Sequence, residues 1–130
     1  PSVREGVKWD EASQTDLFFV TLNKSERDYS PSTLYRDHAL SPELFHWESQ
    51  STTSVESATG QRYLNHRENG TNVVLFVREQ KVGPLGAAPY MALGPCAYVT
   101  DEGDRHIAIT WKLATPMPAD LYQEARVVAG

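Results

Sequence analysis

DLFFVTLN, residues 16–23, carries apolar side chains on both of the faces that an extended chain presents. TNVVLFVR, residues 71–78, repeats the pattern. Short apolar runs rich in aromatic and β-branched residues are typical of strands that are buried on both sides. The sequence therefore predicts two central strands, which are separated by a long connection.

That connection, roughly residues 25–70, is far longer than the usual link between strands, and long loops in compact domains are more often functional than idle. Its part LFHWESQSTTSVESATGQRYLNHR, residues 44–67, combines rings, amides, hydroxyls, guanidinium groups and imidazoles with few aliphatic side chains. A planar, hydrogen-bonding ligand such as a nucleobase requires groups of these kinds. A structural loop whose hydroxyls bond its own backbone would have a similar composition. The residues alone leave both interpretations open.

The remaining pattern predicts an α+β, mostly β fold. Short strands, Gly/Pro bends and the lack of strand–helix alternation favour a small curved sheet or β-barrel. The predicted fold also has two or three short helices, and the long insertion lies between its first two strands. A hairpin is predicted where residues 98–100 and 106–113 flank an acidic turn, and Gly94-Pro95 predicts a kink or bulge.

Two helices have start and stop signals. One is predicted over residues 59–68, with Thr59 as its N-cap and Asn69-Gly70 as its stop. The other begins at Pro118 or Ala119 and continues through Arg126.

Size and composition indicate one domain, residues 1–130, with 1–15 as a lead-in segment and 16–130 as the folded body. The hydrophobic content of 40% and charged content of 22% are those of a globular protein. No membrane span or signal peptide is visible, and Cys96 is expected to be a small buried hydrophobe. We expect a cytoplasmic monomer.

The net charge of −5 argues against a strong, sequence-independent DNA binder. The acidic excess is concentrated at the two ends of the chain. Between residues 57 and 85 the balance reverses, with four basic side chains against two acidic ones, Arg62, Arg67, Arg78 and Lys81 against Glu68 and Glu79. A locally positive face is therefore possible.

No catalytic or metal-binding pattern is present. The four histidines fit no zinc spacing, and no nucleophile-elbow, phosphate-loop or dinucleotide signature occurs. His106 is expected to be a surface residue, and Phe76 and Trp111 are expected in the core. The sequence predicts a protein that is not an enzyme and needs no cofactor, so recognition is the function to consider.

Three blocks of the chain, FHW-SQS, TGQRY and APY-LGP, resemble the domain of unknown function DUF3427 over roughly residues 16–119. That family is found at the C-terminus of bacterial superfamily-II helicases that often carry a phospholipase-D-like nuclease. Helicase and nuclease are absent here, so the resemblance implies a stand-alone version. The family also looks like the β-barrel modules of the PUA and SRA type, which commonly read a modified base.

The resulting hypothesis is a non-catalytic module that binds double-stranded DNA and reads a modified base, 5-methylcytosine first among the candidates. Flipping the base into an aromatic pocket and reading it in the groove both remain open. The expected pocket residues are Tyr29, Tyr35, Trp47, Ser49, Gln50, Ser51, Thr52 and Tyr63. The expected contacts to the DNA backbone or a base edge are Arg36, Thr53, Gln61, Arg62, His66 and Arg67.

Two other classes of function compete with this hypothesis. The acidic ends favour a protein-interaction module that docks a separately encoded helicase or nuclease of a defence or restriction system. A hydrolase that uses His46 or His66 with a nearby acid has less support, because the sequence shows no pairing of a base with an orienting group.

Overall fold

The structure, a computed structural model, describes residues 6–23 and 37–126. This part of the chain forms nine strands and three helices. In chain order they are β1 Val7–Asp10, β2 Thr15–Asn23, β3 His38–Ala39, β4 Leu44–Glu48, α1 Ala58–Leu64, α2 His66–Asn69, β5 Asn72–Gln80, β6 Val82–Gly83, β7 Gly86–Ala87, β8 Met91–Glu102, β9 Ala108–Leu113 and α3 Ala119–Ala125.

Seven of the strands form one mixed sheet in the order β1-β2-β5-β8-β9-β4-β3. The predicted central strands β2 and β5 are neighbours and run parallel, whereas every other neighbouring pair is antiparallel. Parallel neighbours need a long crossover connection. The chain between β2 and β5, here called the crossover segment, provides it and contains β3, β4, α1 and α2.

The prediction of a mostly β, α+β chain with two or three short helices is confirmed. Of the two predicted architectures, an open sheet is the one observed. The barrel does not close within the described residues, because β1 and β3 lie at opposite edges and no pairing joins them. Residues 7–10, part of the expected lead-in, form edge strand β1.

One face of the sheet forms the core, because alternate side chains of each strand point to the same side. Phe18 and Leu75 come from the two central strands, and Ile109 and Trp111 come from β9. Trp111 is fully buried, as the sequence predicts. Cys96 is buried too, and burial raises the pKa of its thiol to about 12, which agrees with the expected inert residue.

The opposite face is only half covered among the described residues, although the sequence predicts strands buried on both sides. Phe19 and Phe76 stack on this face with ring centroids 4.9 Å apart, and Tyr90 packs edge-on against Phe19 at 5.1 Å. Phe76 therefore does not lie in the main core. We call Phe19, Phe76 and Tyr90 the outer ring cluster.

The predicted helix over residues 59–68 is two short helices that meet at Asn65. Ser57, not Thr59, is the N-cap, since its hydroxyl accepts a hydrogen bond from the Gly60 amide at 2.9 Å. Gly70 ends α2 in the left-handed conformation, as predicted, with φ of 72°.

Three further predictions are confirmed. Strands β8 and β9 form the predicted hairpin, and a bulge interrupts the pairing of β5 with β8 beside Gly94, whose φ is 90°. Helix α3 begins at Ala119 and buries Leu121 and Ala125.

Candidate functional site

The polar loop, residues 49–55, follows β4 and is fixed to the segment that precedes β9. The Ser49 amide donates to the Ile107 carbonyl, and the Ile107 amide donates to the Ser49 hydroxyl, each at 2.9 Å. At the far end of the loop, the Val55 amide donates to Asp104 Oδ1 at 2.7 Å. These bonds hold a loop of hydroxyls and one amide side chain in a defined position.

Gln50 lies at the centre of this loop, and its side-chain carbonyl accepts two hydrogen bonds. One comes from Thr53 Oγ1 at 3.0 Å and the other from the Tyr63 hydroxyl at 3.3 Å. The oxygen is therefore identified as the acceptor, and the amide nitrogen points the other way. Within the part of the chain that the structure describes, this nitrogen makes no hydrogen bond, so its two N–H groups are available to an acceptor.

Trp47 and Tyr63 meet at this site, but as core residues. Their exposed fractions are 3% and 0%. Trp47 stacks on Phe18 with centroids 4.0 Å apart, and Tyr63 packs edge-on against Trp47 at 5.4 Å. Residues of β4 alternate between the faces of the sheet, so Trp47 points inward together with Phe45. The expectation that these two rings present a face to a ligand disagrees with this packing.

The other predicted pocket residues divide by exposure. Ser51 and Thr52 are exposed on the polar loop, whereas Ser49 is buried. Thr53, a predicted contact to the DNA backbone or a base edge, is also buried and bonds Gln50. The predicted pocket residues Tyr29 and Tyr35 lie outside the described residues, as does Arg36 of the predicted DNA contacts. The loop therefore presents the Gln50 amide and the hydroxyls of Ser51 and Thr52.

Arg62 forms an ion pair within the fold, so its guanidinium does not project freely toward a ligand. Its Nε and Nη2 atoms each donate to the fully buried Asp16 carboxylate at 2.8 Å, and its guanidinium lies 4.5 Å from the centre of the Trp9 ring. The hydrogen bond to Asp16 raises the pKa of Arg62. The pair joins α1 to β2, so Arg62 is occupied in the fold.

His66 is also part of the fold. The Tyr98 amide donates to its Nε2 at 3.0 Å, so the ring proton is on Nδ1, which donates to the Thr71 carbonyl at 3.2 Å. Burial lowers the pKa of His66 and favours this neutral form. A neutral, buried imidazole does not provide the phosphate contact that the sequence predicts.

Two of the predicted DNA-contact residues that the structure describes are exposed, namely Gln61 and Arg67. The Gln61 amide donates to the Val55 carbonyl at 2.7 Å, and its carbonyl accepts from Asn65 Nδ2 at 2.6 Å. Gln61 therefore ties α1 to the polar loop. Arg67 projects from α2 and can reach a partner.

The predicted site does not include a cluster of histidine and glutamate side chains that the structure shows on the face of the sheet opposite the core. Glu48 Oε2 accepts from His46 Nε2 and Oε1 accepts from His106 Nε2, both at 2.8 Å, and the His38 ring stacks on His46 at 4.8 Å. His46 and Glu48 are two residues apart in a strand, so the sequence could have placed both on one face. The cluster orients both imidazoles and ties β4 to the segment before β9.

No group of three or more His, Cys, Asp or Glu side chains in the described residues has an arrangement that could hold a metal ion. Among residues 6–23 and 37–126, no helix has the length and apolar character needed to cross a membrane.

The chain matches a known protein family over most of its length. The model of the family described as Domain of unknown function (DUF3427) matches residues 1–125 of the 130. No curated protein sequence matches the chain. The matched region contains β1 to β9 and α1 to α3, and it includes the polar loop. The chain therefore belongs to the DUF3427 family.

Proposed function

We propose that this chain is a non-catalytic DNA-binding module that reads a modified base, 5-methylcytosine, in double-stranded DNA. The observation that carries the proposal is the Gln50 side chain, whose carbonyl is held by Thr53 and Tyr63 while its amide nitrogen has no partner in the described residues. An amide fixed in one orientation is suited to donate to the acceptors on the Watson–Crick edge of cytosine.

The neighbouring residues support this role in different ways. Ser51 and Thr52 are exposed beside Gln50 and can donate their hydroxyl protons to phosphate oxygens. Trp47 and Tyr63 form the rigid support behind the loop. Tyr29 and Tyr35, which belong to the same crossover segment, keep the sequence-based role of aromatic wall.

The base must leave the duplex to meet Gln50, because pairing covers the edge that the amide would read. Flipping costs a few kcal/mol, which stacking and edge hydrogen bonds can offset. Burial of the single methyl group contributes only about 0.8 kcal/mol, so discrimination needs a close-fitting wall. We infer that the chain shares this mode of binding with PUA- and SRA-type modules, although its sheet does not close into a barrel within the described residues.

The test compares the affinity for two duplexes of one sequence, with and without 5-methylcytosine, by fluorescence anisotropy. The wild-type chain should prefer the methylated duplex. Gln50→Ala should weaken binding of that duplex by roughly tenfold, the effect of losing about one edge hydrogen bond. Tyr63→Phe, which removes one bond that orients the amide, should have a smaller effect in the same direction.

Gln123→Ala is the matched control, since Gln123 is an exposed glutamine on α3. It should bind both duplexes like the wild type, and circular dichroism should show that all variants fold. Equal wild-type affinity for the two duplexes would exclude the reading of this modification. Absence of DNA binding at low salt, with co-purification of a helicase or nuclease, would favour the docking alternative instead.

A further inference from the structure

Both ends of the polar loop are bonded to residues 104–107, the segment that precedes β9. At one end, the amide and hydroxyl of Ser49 bond the carbonyl and amide of Ile107, each at 2.9 Å. At the other end, the Val55 amide donates to Asp104 Oδ1 at 2.7 Å. Residues 105 and 106 therefore lie between the two attachments, next to the loop that carries Gln50.

The side chains of these two residues are in different situations. His106 Nε2 bonds Glu48 Oε1 at 2.8 Å and belongs to the cluster of histidine and glutamate side chains. Arg105 is exposed, and its guanidinium makes no hydrogen bond or ion pair with any residue that the structure describes. Its N–H groups are therefore available to a ligand that approaches the polar loop.

Arg105 is the one permanent cation in the stretches of sequence that build this end of the sheet. Residues 37–61, which contain β3, β4 and the polar loop, have no Lys or Arg, and residues 82–111 have Arg105 alone. Lys112 lies at the other end of β9, where it pairs with Leu44, whereas Glu48 pairs with Ala108. A phosphate close to Gln50 can therefore take its charged contact from Arg105.

Carboxylates outnumber cations at this end of the sheet, where they belong to Asp37, Glu48, Glu56, Asp101, Glu102 and Asp104. Four of them accept hydrogen bonds within the fold: Asp37 from the Glu48 amide, Glu48 from two imidazoles, Asp101 from the Tyr98 hydroxyl and Asp104 from the Val55 amide. Glu56 and Glu102 are exposed and make no such bond in the described part of the chain. These charges repel a phosphate, so a DNA backbone near Gln50 depends on the Arg105 charge to offset them.

We propose that Arg105 binds the phosphate of the nucleotide whose base Gln50 reads. The planar guanidinium presents several N–H donors in a fork that suits phosphate oxygens. Gln50 and Arg105 lie on two segments that are bonded to each other, so one side chain can contact the base edge while the other contacts the backbone. The inference rests on the proposed function, and it adds the cation that holds the flipped nucleotide by its phosphate.

The test uses the full chain and the variant Arg105→Gln, which removes the charge and keeps a polar side chain. This variant should bind methylated and unmodified duplexes roughly tenfold more weakly, the effect of losing one charge-assisted hydrogen bond. The slope of log affinity against log salt should become shallower by about 1. The ratio of the two affinities should not change, because a phosphate contact carries no information about the base.

Two further variants serve as controls. Arg105→Lys keeps the positive charge and should recover most of the lost affinity. Lys112→Gln removes an exposed cation from the opposite end of β9 and should match the wild type on both duplexes. Circular dichroism should show that all three variants fold.

A neutral methylphosphonate linkage in the DNA locates the contact. Placed next to the methylated cytosine, it removes the charge that Arg105 would bind, so wild type and Arg105→Gln should then have the same affinity. Placed one helical turn away, it should leave the tenfold difference between them intact. Such a cycle isolates the interaction between one side chain and one phosphate.

The possible failures are distinguishable. A tenfold difference that persists with the neutral linkage next to the methylated cytosine would overturn the contact. Equal binding of wild type and Arg105→Gln to the unsubstituted duplex would overturn it too. Both results leave the modified-base reader intact when the wild type prefers the methylated duplex. A wild type without that preference would overturn the reader, and the assignment of Arg105 would fall with it.

Discussion

At the scale of single residues, Glu48 holds two imidazoles with one carboxylate. Burial alone would raise the pKa of Glu48. The hydrogen bonds that it accepts from His46 and His106, together with the positive charges of these two rings, outweigh burial. The pKa of Glu48 therefore lies below its ordinary value. A carboxyl group whose folded pKa is depressed stabilises the fold above its unfolded pKa. This contribution is lost as the pH falls from the ordinary value of 4.5 through the lower folded value.

Glu48→Gln should therefore lower the free energy of unfolding at pH 7 by about 1–2 kcal/mol, because two charge-assisted hydrogen bonds at a partly exposed site are weakened. Urea unfolding at pH 7 and at pH 3.5 measures the effect. The difference between wild type and variant should shrink at the lower pH. Glu43→Gln, at an exposed carboxyl just before β4, is the control and should show no such dependence. A constant difference between the two pH values would contradict the assignment.

Arg62 and Arg67 offer a matched pair of residues that separates folding from binding. Arg62→Ala leaves the buried Asp16 carboxylate without its cation and should lower the free energy of unfolding by about 3 kcal/mol. Arg67→Ala, at an exposed position on α2, should change it by less than about 0.5 kcal/mol. Urea denaturation monitored by circular dichroism distinguishes the two variants.

The same two arginines should behave differently in DNA binding. Arg67→Ala should weaken binding of methylated and unmodified duplexes alike and reduce the salt dependence of affinity, as the loss of one phosphate contact does. An Arg67→Ala variant that loses only the methyl preference would argue against a phosphate contact.

At the scale of elements, the hairpin of β6 and β7 depends on Arg78. Arg78→Met keeps an apolar stem over Tyr90 but removes the hydrogen bonds to Thr21 and the Ala88 carbonyl. Hydrogen exchange of the Ala88 amide should become about 3- to 10-fold faster, because local opening becomes easier. Lys112→Met, at an exposed cation on β9, should leave this amide unchanged. Unchanged exchange in Arg78→Met would show that the hairpin is held by its own turn.

Strand alternation explains which elements the sequence predicts well. In β9, Ile109, Trp111 and Leu113 face the core as the sequence indicates. The same rule applied to β4 would have placed Phe45 and Trp47 inside and His46 and Glu48 outside. The polar residues next to Trp47 in the sequence favour a binding role, whereas the fold buries its ring in the core, as the alternation indicates.

Contacts between distant segments account for what the sequence could not predict. Arg62 pairs with Asp16, and Glu48 pairs with His106, across 46 and 58 positions. No periodicity within either segment records such a partner. The Gln50 site is an intermediate case, since its residues are close in sequence while the orientation of the amide depends on Tyr63 from the next helix.

At the scale of the whole molecule, the net charge of −5 limits how DNA can be bound. Six of the eight basic side chains in the described residues are exposed, but acidic side chains outnumber basic ones over the chain, 17 to 12, so under the proposed function most of the affinity would come from contacts to the base. The slope of log affinity against log salt should therefore be about −3 or shallower for the methylated duplex. Titrations between 50 and 200 mM salt measure it. A slope near −10 would point to a phosphate-dominated interface.

The parallel pairing of β2 with β5 has a kinetic consequence. Strands β2 and β5 can pair only after the crossover segment between Asn23 and Asn72 has folded back along the sheet. The β8–β9 hairpin, in contrast, needs only a short turn. Contacts with a high sequence separation form late and make folding slow. We expect the hairpin to form first, and the loop that carries Gln50 to reach its final position only when the two central strands meet.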